Sequence, residues 1–252
     1  MSLTMFLKAT EGIVMAADSR VTVGYTLDGP DTRDESIKFI QLNGDAGVMT
    51  YGIFDIGTTG LKALKEEVGS KDFSMAEIID KGKDVFTGVS NDWTRENSGV
   101  VRRDGDVGFI VGGLDRESVR PIGVDSYRDS ERMSFEAYNF VSPEFIPQKI
   151  IGNFFLAGQW HIARFLLTKL DSKKAVAIDT LKNLAAVSMM ATMTVDDTVG
   201  GPLRLATITE SRGFQWVNDE EMKGILNFNS AFCKFFQELL QSSLTVVLEV
   251  KS

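Results

Sequence analysis

The segment Gly12–Arg20, with the sequence GIVMAADSR, decides the fold. Its first six residues are all small or apolar, a run typical of a strand that is covered on both faces. The segment ends in Asp18–Arg20, three polar residues at the tip of that strand. Thr4–Ala9 is a second β-rich run, and Thr10–Glu11 supplies a short polar turn between the two. The sequence therefore predicts a hairpin whose second strand is buried and has polar and charged side chains at its end.

Strands and helices alternate in blocks along the rest of the chain. Asn43–Gly44 is typical of a hairpin turn, and Gly29–Asp31 indicates a loop. Ser74, three residues before Glu77, has the spacing of a helix capping box. Further strands are predicted at 37–42, 46–51, 107–112, 121–124, 133–140, 153–157, 203–209, 213–217 and 244–250. Helices are predicted at 61–68, 74–93, 160–170, 174–194 and 219–241.

This order of elements predicts an α+β fold. Paired strand blocks that alternate with paired helices fit two packed sheets with helices outside both, which is a four-layer αββα sandwich. A chain of 252 residues, 43% of them apolar, can form one large core. We expect one domain over residues 1–218, and a C-terminal extension over 219–252 that packs on the same domain.

Composition excludes several classes of site. The net charge of −8 argues against binding to nucleic acid. One cysteine, Cys233, and one histidine, His161, cannot form a disulfide or a Cys/His zinc site, so we expect no metal and no cofactor. No apolar run approaches the ~20 residues that span a bilayer, and no signal peptide is evident, so we expect a cytoplasmic protein without membrane contact.

Three segments carry a resemblance to a known family. They are GIVMAADSR at 12–20, KFIQLN at 38–43 followed by MTYG at 49–52, and DDTVGG at 196–201. In this order the segments resemble proteasome β-type subunits, which are N-terminal-nucleophile hydrolases. The resemblance is good over about the first 50 residues, moderate over 175–217 and weak between them. It implies the same αββα sandwich and a hydrolase that uses its first residue.

The resemblance also implies roles for individual residues. A hydroxyl needs a base beside it to attack a carbonyl carbon, and in this family the base is the α-amino group of the nucleophilic residue itself. A lysine cation lowers the pKa of that amine, a carboxylate holds the lysine, and a backbone N–H binds the oxyanion. Catalytic roles fall on Ser2, Asp18, Lys38 and Asp196, the oxyanion role on Gly52, and the side-chain pocket, which would accept medium apolar residues, on Val21, Ile40 and Thr50.

Several positions depart from the family pattern. The nucleophile position, sixteen residues before Asp18, holds Ser2 where the family has threonine, and Met1 must be removed to free its amine. Thr4 is two residues too far along, about 6–7 Å in an extended strand. Ala157 and Val199 stand where the family carries two supporting serines. The start Met1–Leu3 is also typical of a cloning remnant.

Two functions from different classes therefore stay open. The first is a threonine/serine-type endopeptidase that hydrolyses peptides or unfolded proteins through an N-terminal hydroxyl. The second is a catalytically silent assembly subunit on the same fold. Both predict a homo-oligomer, as a ring or stacked rings. Acyl transfer to an amine is a third, weaker reading that the sequence does not address.

Overall fold

A computed structural model describes residues 2–27, 29–69, 73–100, 106–116, 134–168, 176–230 and 234. Twelve strands lie in this part of the chain: β1 Leu3–Lys8, β2 Gly12–Ala17, β3 Val21–Thr26, β4 Gly29–Arg33, β5 Phe39–Gln41, β6 Ala46–Gly52, β7 Val107–Asp115, β8 Ser134–Val141, β9 Gln148–Lys149, β10 Phe154–Gly158, β11 Arg204–Thr209 and β12 Gly213–Trp216. Four helices are complete within it: α1 Phe54–Val68, α2 Met75–Glu96, α3 His161–Leu167 and α4 Ile178–Met193.

The strands form three antiparallel sheets. Sheet I has the order β10-β1-β2-β11-β12, and sheet II has the order β5-β6-β7-β8-β9. A two-stranded ribbon, β3-β4, is the third sheet, with Thr26 opposite Gly29 at its tip. The predicted hairpin of β1 and β2 is confirmed, with Thr4 opposite Ala17. All six residues of β2 are buried, as its continuous apolar run predicts.

Apolar side chains pack on both faces of each large sheet. Between the sheets, residues such as Phe6 and Met15 of sheet I lie in one cluster with Met49 and Ile110 of sheet II. Helices α1 and α2 cover the other face of sheet II, where the rings of Phe86 and Phe109 stack with centroids 3.7 Å apart. Helices α3 and α4 cover the other face of sheet I.

Two glycines bring α1 close to sheet II. A Cβ atom at Gly57 would lie 2.5 Å from the hydroxyl oxygen of Thr50, and one at Gly60 would lie 2.6 Å from the Phe109 ring. Both distances are shorter than any contact that a real Cβ makes, so larger residues would force the helix away from the sheet. This close packing fixes the start of α1 beside the end of β6.

The predicted four-layer αββα sandwich is wrong, because it allows two sheets and the described residues form three. The pattern missed the β3-β4 ribbon, for which it indicated only a loop at Gly29–Asp31. Neither strand shows a continuous buried face, since most of their side chains are exposed or half-buried. Pro30 also lies within β4, and proline in a strand is tolerated only at an edge.

Several local predictions are confirmed. Ser74 and Glu77 form the capping box at the start of α2, with the Ser74 hydroxyl accepting from the Glu77 N–H. Helix α1 begins at Phe54, seven residues before the apolar stripe that predicted it. The predicted strands 121–124 and 244–250, and Cys233, lie outside the described residues, as does most of the tail beyond 230.

The C-terminal extension contributes a helix over 219–230. Asn229 donates to the Asn183 side chain of α4 at 3.3 Å, and Lys182 of α4 forms an ion pair with Glu221. The boundary at 218 between domain and extension stays a prediction. Among the helices that the structure describes, none has the length and apolar character needed to cross a bilayer.

Candidate active site

The carboxylate of Asp18 lies at the centre of the site, at the end of β2. Its Oδ1 accepts from the Leu3 N–H and from the Lys38 ammonium, both at 2.9 Å. Its Oδ2 accepts from the Arg20 N–H and the Gly200 N–H, both at 3.2 Å. Four donors on a carboxylate with no exposed side-chain surface are what a buried charge requires.

Lys38 forms a buried ion pair with Asp18 just before β5. Its side chain is 5% exposed, and its ammonium also donates to the backbone carbonyl of Arg20. Burial lowers the pKa of Lys38, and the nearby Asp18 carboxylate opposes that shift. Burial likewise raises the pKa of Asp18, and Lys38 and the backbone donors oppose the rise. The structure thus places Lys38 next to Asp18, the residue that the resemblance implies as its carboxylate partner.

Ser2 lies at the start of β1, beside the pair. Ser2 is 3% exposed, and its backbone carbonyl accepts a hydrogen bond from the Gln159 N–H at 2.8 Å. Gly158 holds this contact open: its φ is +86°, and a Cβ there would lie 1.7 Å from the Ser2 oxygen. The Leu3 N–H and the Lys38 ammonium both donate to Asp18 Oδ1. The ammonium nitrogen of Lys38 therefore lies no further than two hydrogen-bond lengths from the backbone nitrogen of Leu3, the residue that follows Ser2.

A cavity of about 350 Å³ opens at this point, in the size range of small-ligand sites. Its lining residues are Ser2, Val21, Thr22, Val23, Lys38, Thr50, Tyr51, Gly52, Ile53, Phe54 and Asp55. Five of the eight residues predicted for the site are therefore on its wall. Asp18 is not a lining residue, but it forms the ion pair with Lys38, which is. Ile40 packs instead against the core cluster under α1 and is not among the lining residues.

Gly52 lies where β6 ends and α1 begins. Its φ is +91°, in the left-handed region that favours glycine, and a Cβ there would lie 2.0 Å from the carbonyl oxygen of Asp106. No other residue fits this position without moving the backbone. The glycine therefore fixes the turn that presents the Gly52 backbone to the cavity.

Asp196 lies in the loop after α4, and its carboxylate accepts hydrogen bonds within that loop. Its Oδ1 accepts from both the N–H and the hydroxyl of Thr198. The same loop reaches Asp18 through the Gly200 N–H, while Ser19 donates its own N–H to the Gly200 carbonyl at 3.1 Å. Asp196 therefore shapes the loop that delivers this donor, and a direct role at the N-terminus stays a prediction.

The chain is similar in structure to several solved proteins. The chain is similar to the helical assembly of the Anbu complex from Pseudomonas aeruginosa, with 16% identity, a TM-score of 0.66, and coverage of 98% of this chain and 95% of that one. It is also similar to the Anbu Gly-1 mutant from Hyphomicrobium sp. strain MC1 (14%, TM-score 0.64, 96% and 97% covered).

A third similar structure is Anbu, described as an ancestral beta-subunit, from Yersinia bercovieri (12%, TM-score 0.61, 98% and 96% covered). This chain shares its fold with Anbu. No protein-family model matches the sequence, and no curated protein matches it. The assignment to proteasome β-type subunits is thereby corrected: what the comparisons support is a fold shared with Anbu, at 12–16% identity.

The two residues that replace the supporting serines expected from the resemblance, Ala157 and Val199, are both buried. Ala157 lies in β10 opposite Thr4, and Val199 is fully buried in the cluster between sheet I and its helices. Thr4 itself is buried near the start of β1 and is not among the residues lining the cavity. It therefore does not offer its hydroxyl as a substitute for that of Ser2.

Sequence reasoning missed much of the cavity wall. Thr22 and Val23 come from the β3-β4 ribbon, and Phe54 and Asp55 from the first turn of α1. The only signal in the sequence was that Phe54 lies two residues after Gly52, the predicted glycine turn. Within the described part of the chain, no group of three or more His, Cys, Asp or Glu side chains is placed to hold a metal ion.

Proposed function

We propose that this chain is a hydrolase of peptide amide bonds whose nucleophile is the hydroxyl of Ser2. The observation that carries the proposal is the shared hydrogen bonding of Asp18 Oδ1. This one oxygen accepts from the Lys38 ammonium and from the backbone N–H that follows Ser2, at the wall of a cavity that Ser2 and Gly52 both line.

The proposed reaction has two halves. The Ser2 hydroxyl attacks the carbonyl carbon of a peptide, and its proton passes to the free α-amino group of the same residue. The negative oxygen that forms is stabilised by the Gly52 N–H. The amide C–N bond then breaks, the leaving amine takes the proton from the α-amino group of Ser2, and Ser2 holds the acyl group as an ester. Water, deprotonated by the same amine, cleaves that ester and restores the serine.

Lys38 acts on this chemistry through its charge. The α-amino group has an ordinary pKa of about 7.7–8 and is largely protonated at neutral pH. A cation close by lowers that pKa and leaves more of the amine free to accept a proton. Lys38 can supply the cation only while Asp18 keeps it charged, because burial alone favours the neutral amine.

The test is hydrolysis of fluorogenic peptides by protein whose N-terminus has been verified by intact mass. We expect turnover when Met1 is absent, and loss of at least about 100-fold in Ser2→Ala and in Lys38→Ala. Ser230→Ala, an exposed serine in the 219–230 helix, is the control and should retain full activity. Full turnover in Lys38→Ala would show that the proposed mechanism is wrong.

A second candidate is a catalytically silent assembly subunit. Buried Val199 and Ala157 favour it, because neither can donate or accept a proton near the N-terminus. The similar structure from Pseudomonas aeruginosa is a helical assembly, and this supports a homo-oligomer for the present chain under either function. A native chain that retains Met1 and forms oligomers in light scattering, without peptide hydrolysis, would decide for this candidate.

A further inference from the structure

The electrostatic balance of the cavity wall points to a class of substrate. Two of the eleven lining residues carry a charge, Lys38 and Asp55. The charge of Lys38 is balanced by Asp18 at 2.9 Å, and this pair is buried. Asp55 is exposed, and no described residue forms an ion pair with it. Among the side chains of the wall, the one whose charge is left unbalanced is therefore Asp55, which is negative.

The rest of the wall suits the stem of a long side chain. Val21 and Val23 line it from the β3-β4 ribbon, and Phe54 lines it from α1 next to Asp55. Arginine and lysine have this combination of an apolar stem and a cationic end, and such side chains commonly lay their stems on apolar surface while the charge meets a partner.

We propose that the cavity selects peptides with a lysine or arginine side chain, which lies along Val21, Val23 and Phe54 and ends at Asp55. This inference rests on the proposed function and names its substrate class. It replaces the preference for medium apolar residues that Val21, Ile40 and Thr50 suggested, since Ile40 lies outside the wall and Asp55 was not foreseen.

Asp55 also stabilises the start of α1, so the effect of its charge on the helix must be separated from its effect on ligand binding. It is the second residue of α1, where a carboxylate interacts favourably with the helix dipole. Asp219, the first residue of the 219–230 helix, has the same helical environment, is exposed, and is not a lining residue of the cavity. Asp219→Asn therefore reproduces the loss of a first-turn charge without changing the wall.

The experiment uses ligands that differ only in charge. Nα-acetyl-arginine amide and Nα-acetyl-citrulline amide have nearly the same shape, and their binding to Ser2→Ala protein can be compared by NMR titration without hydrolysis. A carboxylate and a cation about 4 Å apart in water interact by about 1 kcal/mol, so we expect about five-fold tighter binding of the arginine compound. Asp55→Asn should remove this preference, while Asp55→Glu and Asp219→Asn should keep it.

A parallel pair of fluorogenic peptides, with arginine or citrulline before the scissile amide, is tested on the unsubstituted protein. Preferential binding of the arginine amide without cleavage of either peptide supports this inference and overturns the proposed hydrolase. Equal cleavage of both peptides supports the hydrolase and overturns this inference. Equal binding of the two amides, absence of any binding, or a preference that survives in Asp55→Asn also overturns it.

Discussion

The buried pair of Asp18 and Lys38 should respond unequally to the removal of either partner. Lys38→Met removes the cation and leaves Asp18 with three backbone N–H donors. Asp18→Asn keeps the shape of the side chain but has one acceptor oxygen in place of two. Because two donors converge on each oxygen of Asp18, an amide must turn its NH₂ group toward one of these pairs.

The sizes of the two effects follow from this hydrogen bonding. Breaking a buried ion pair costs about 3–5 kcal/mol, and each buried donor left without an acceptor costs about 1–3 kcal/mol. We expect about 3 kcal/mol for Lys38→Met, because Asp18 keeps three donors and can take up a proton. We expect about 5 kcal/mol or more for Asp18→Asn, because two donors lose their acceptor and the ammonium of Lys38 loses its partner.

The measurement is equilibrium unfolding in urea, followed by circular dichroism, with the free energy of unfolding taken by linear extrapolation. The control is Asp92→Asn, which removes the exposed ion pair with Arg95 and should change stability by no more than about 0.5 kcal/mol. If Lys38→Met behaves like this control, or if it costs as much as Asp18→Asn, the reasoning is refuted. If Asp18→Asn does not fold at all, the value for Lys38→Met still decides between these outcomes.

Two further predictions concern the surroundings of the pair. Gly52→Ala should lower the free energy of unfolding in urea by about 1–3 kcal/mol or more, because the φ of Gly52 is +91° and a Cβ there would lie 2.0 Å from a backbone carbonyl oxygen. The control is Gly24→Ala, since no atom lies within 4 Å of a Cβ at Gly24. An equal loss of stability in the two variants would contradict this explanation. The Arg20 guanidinium donates to Asp34 and lowers the pKa of that carboxyl below 3.8, so the ion pair stabilises the fold above about pH 3.8 and loses this contribution as the pH falls. Asp34→Asn should therefore reduce the free energy of unfolding by up to about 1 kcal/mol at pH 7 and by progressively less below pH 3.8. A stability difference between the two proteins that does not depend on pH would exclude this linkage.

The elements that the sequence predicted well share a simple cause. The all-apolar run of β2, the turn at Asn43–Gly44 and the capping box at Ser74 each depend on residues close together in the chain. Strand propensity, turn chemistry and capping are local, so one sequence suffices to read them. The pairing of Asp18 with Lys38 was also predicted, but through the family resemblance and not from spacing.

Other parts of the fold and the site could not be predicted because they depend on distant contacts. The β3-β4 ribbon has no continuous apolar face, so its sequence looks like a loop and the number of sheets was predicted wrongly. The wall of the cavity draws on that ribbon, on the turn at Gly52 and on Asp55 at the start of α1. Gly200 reaches Asp18 across 182 positions of sequence, a distance over which local patterns carry no information.

The amino-acid sequence alone determined that the buried strand β2 is followed by charged residues and that strands and helices alternate in blocks. It could do so because the spacing of apolar residues and the residue types of turns are patterns of only a few consecutive residues. Tertiary structure alone decided which backbone donors surround Asp18, which residues enclose the cavity, and that the Asp55 side chain lies on its wall without an ion-pair partner among the described residues. These features arise only when sheets, ribbon and helix pack together, because hydrogen bonds and desolvation depend on neighbours in space.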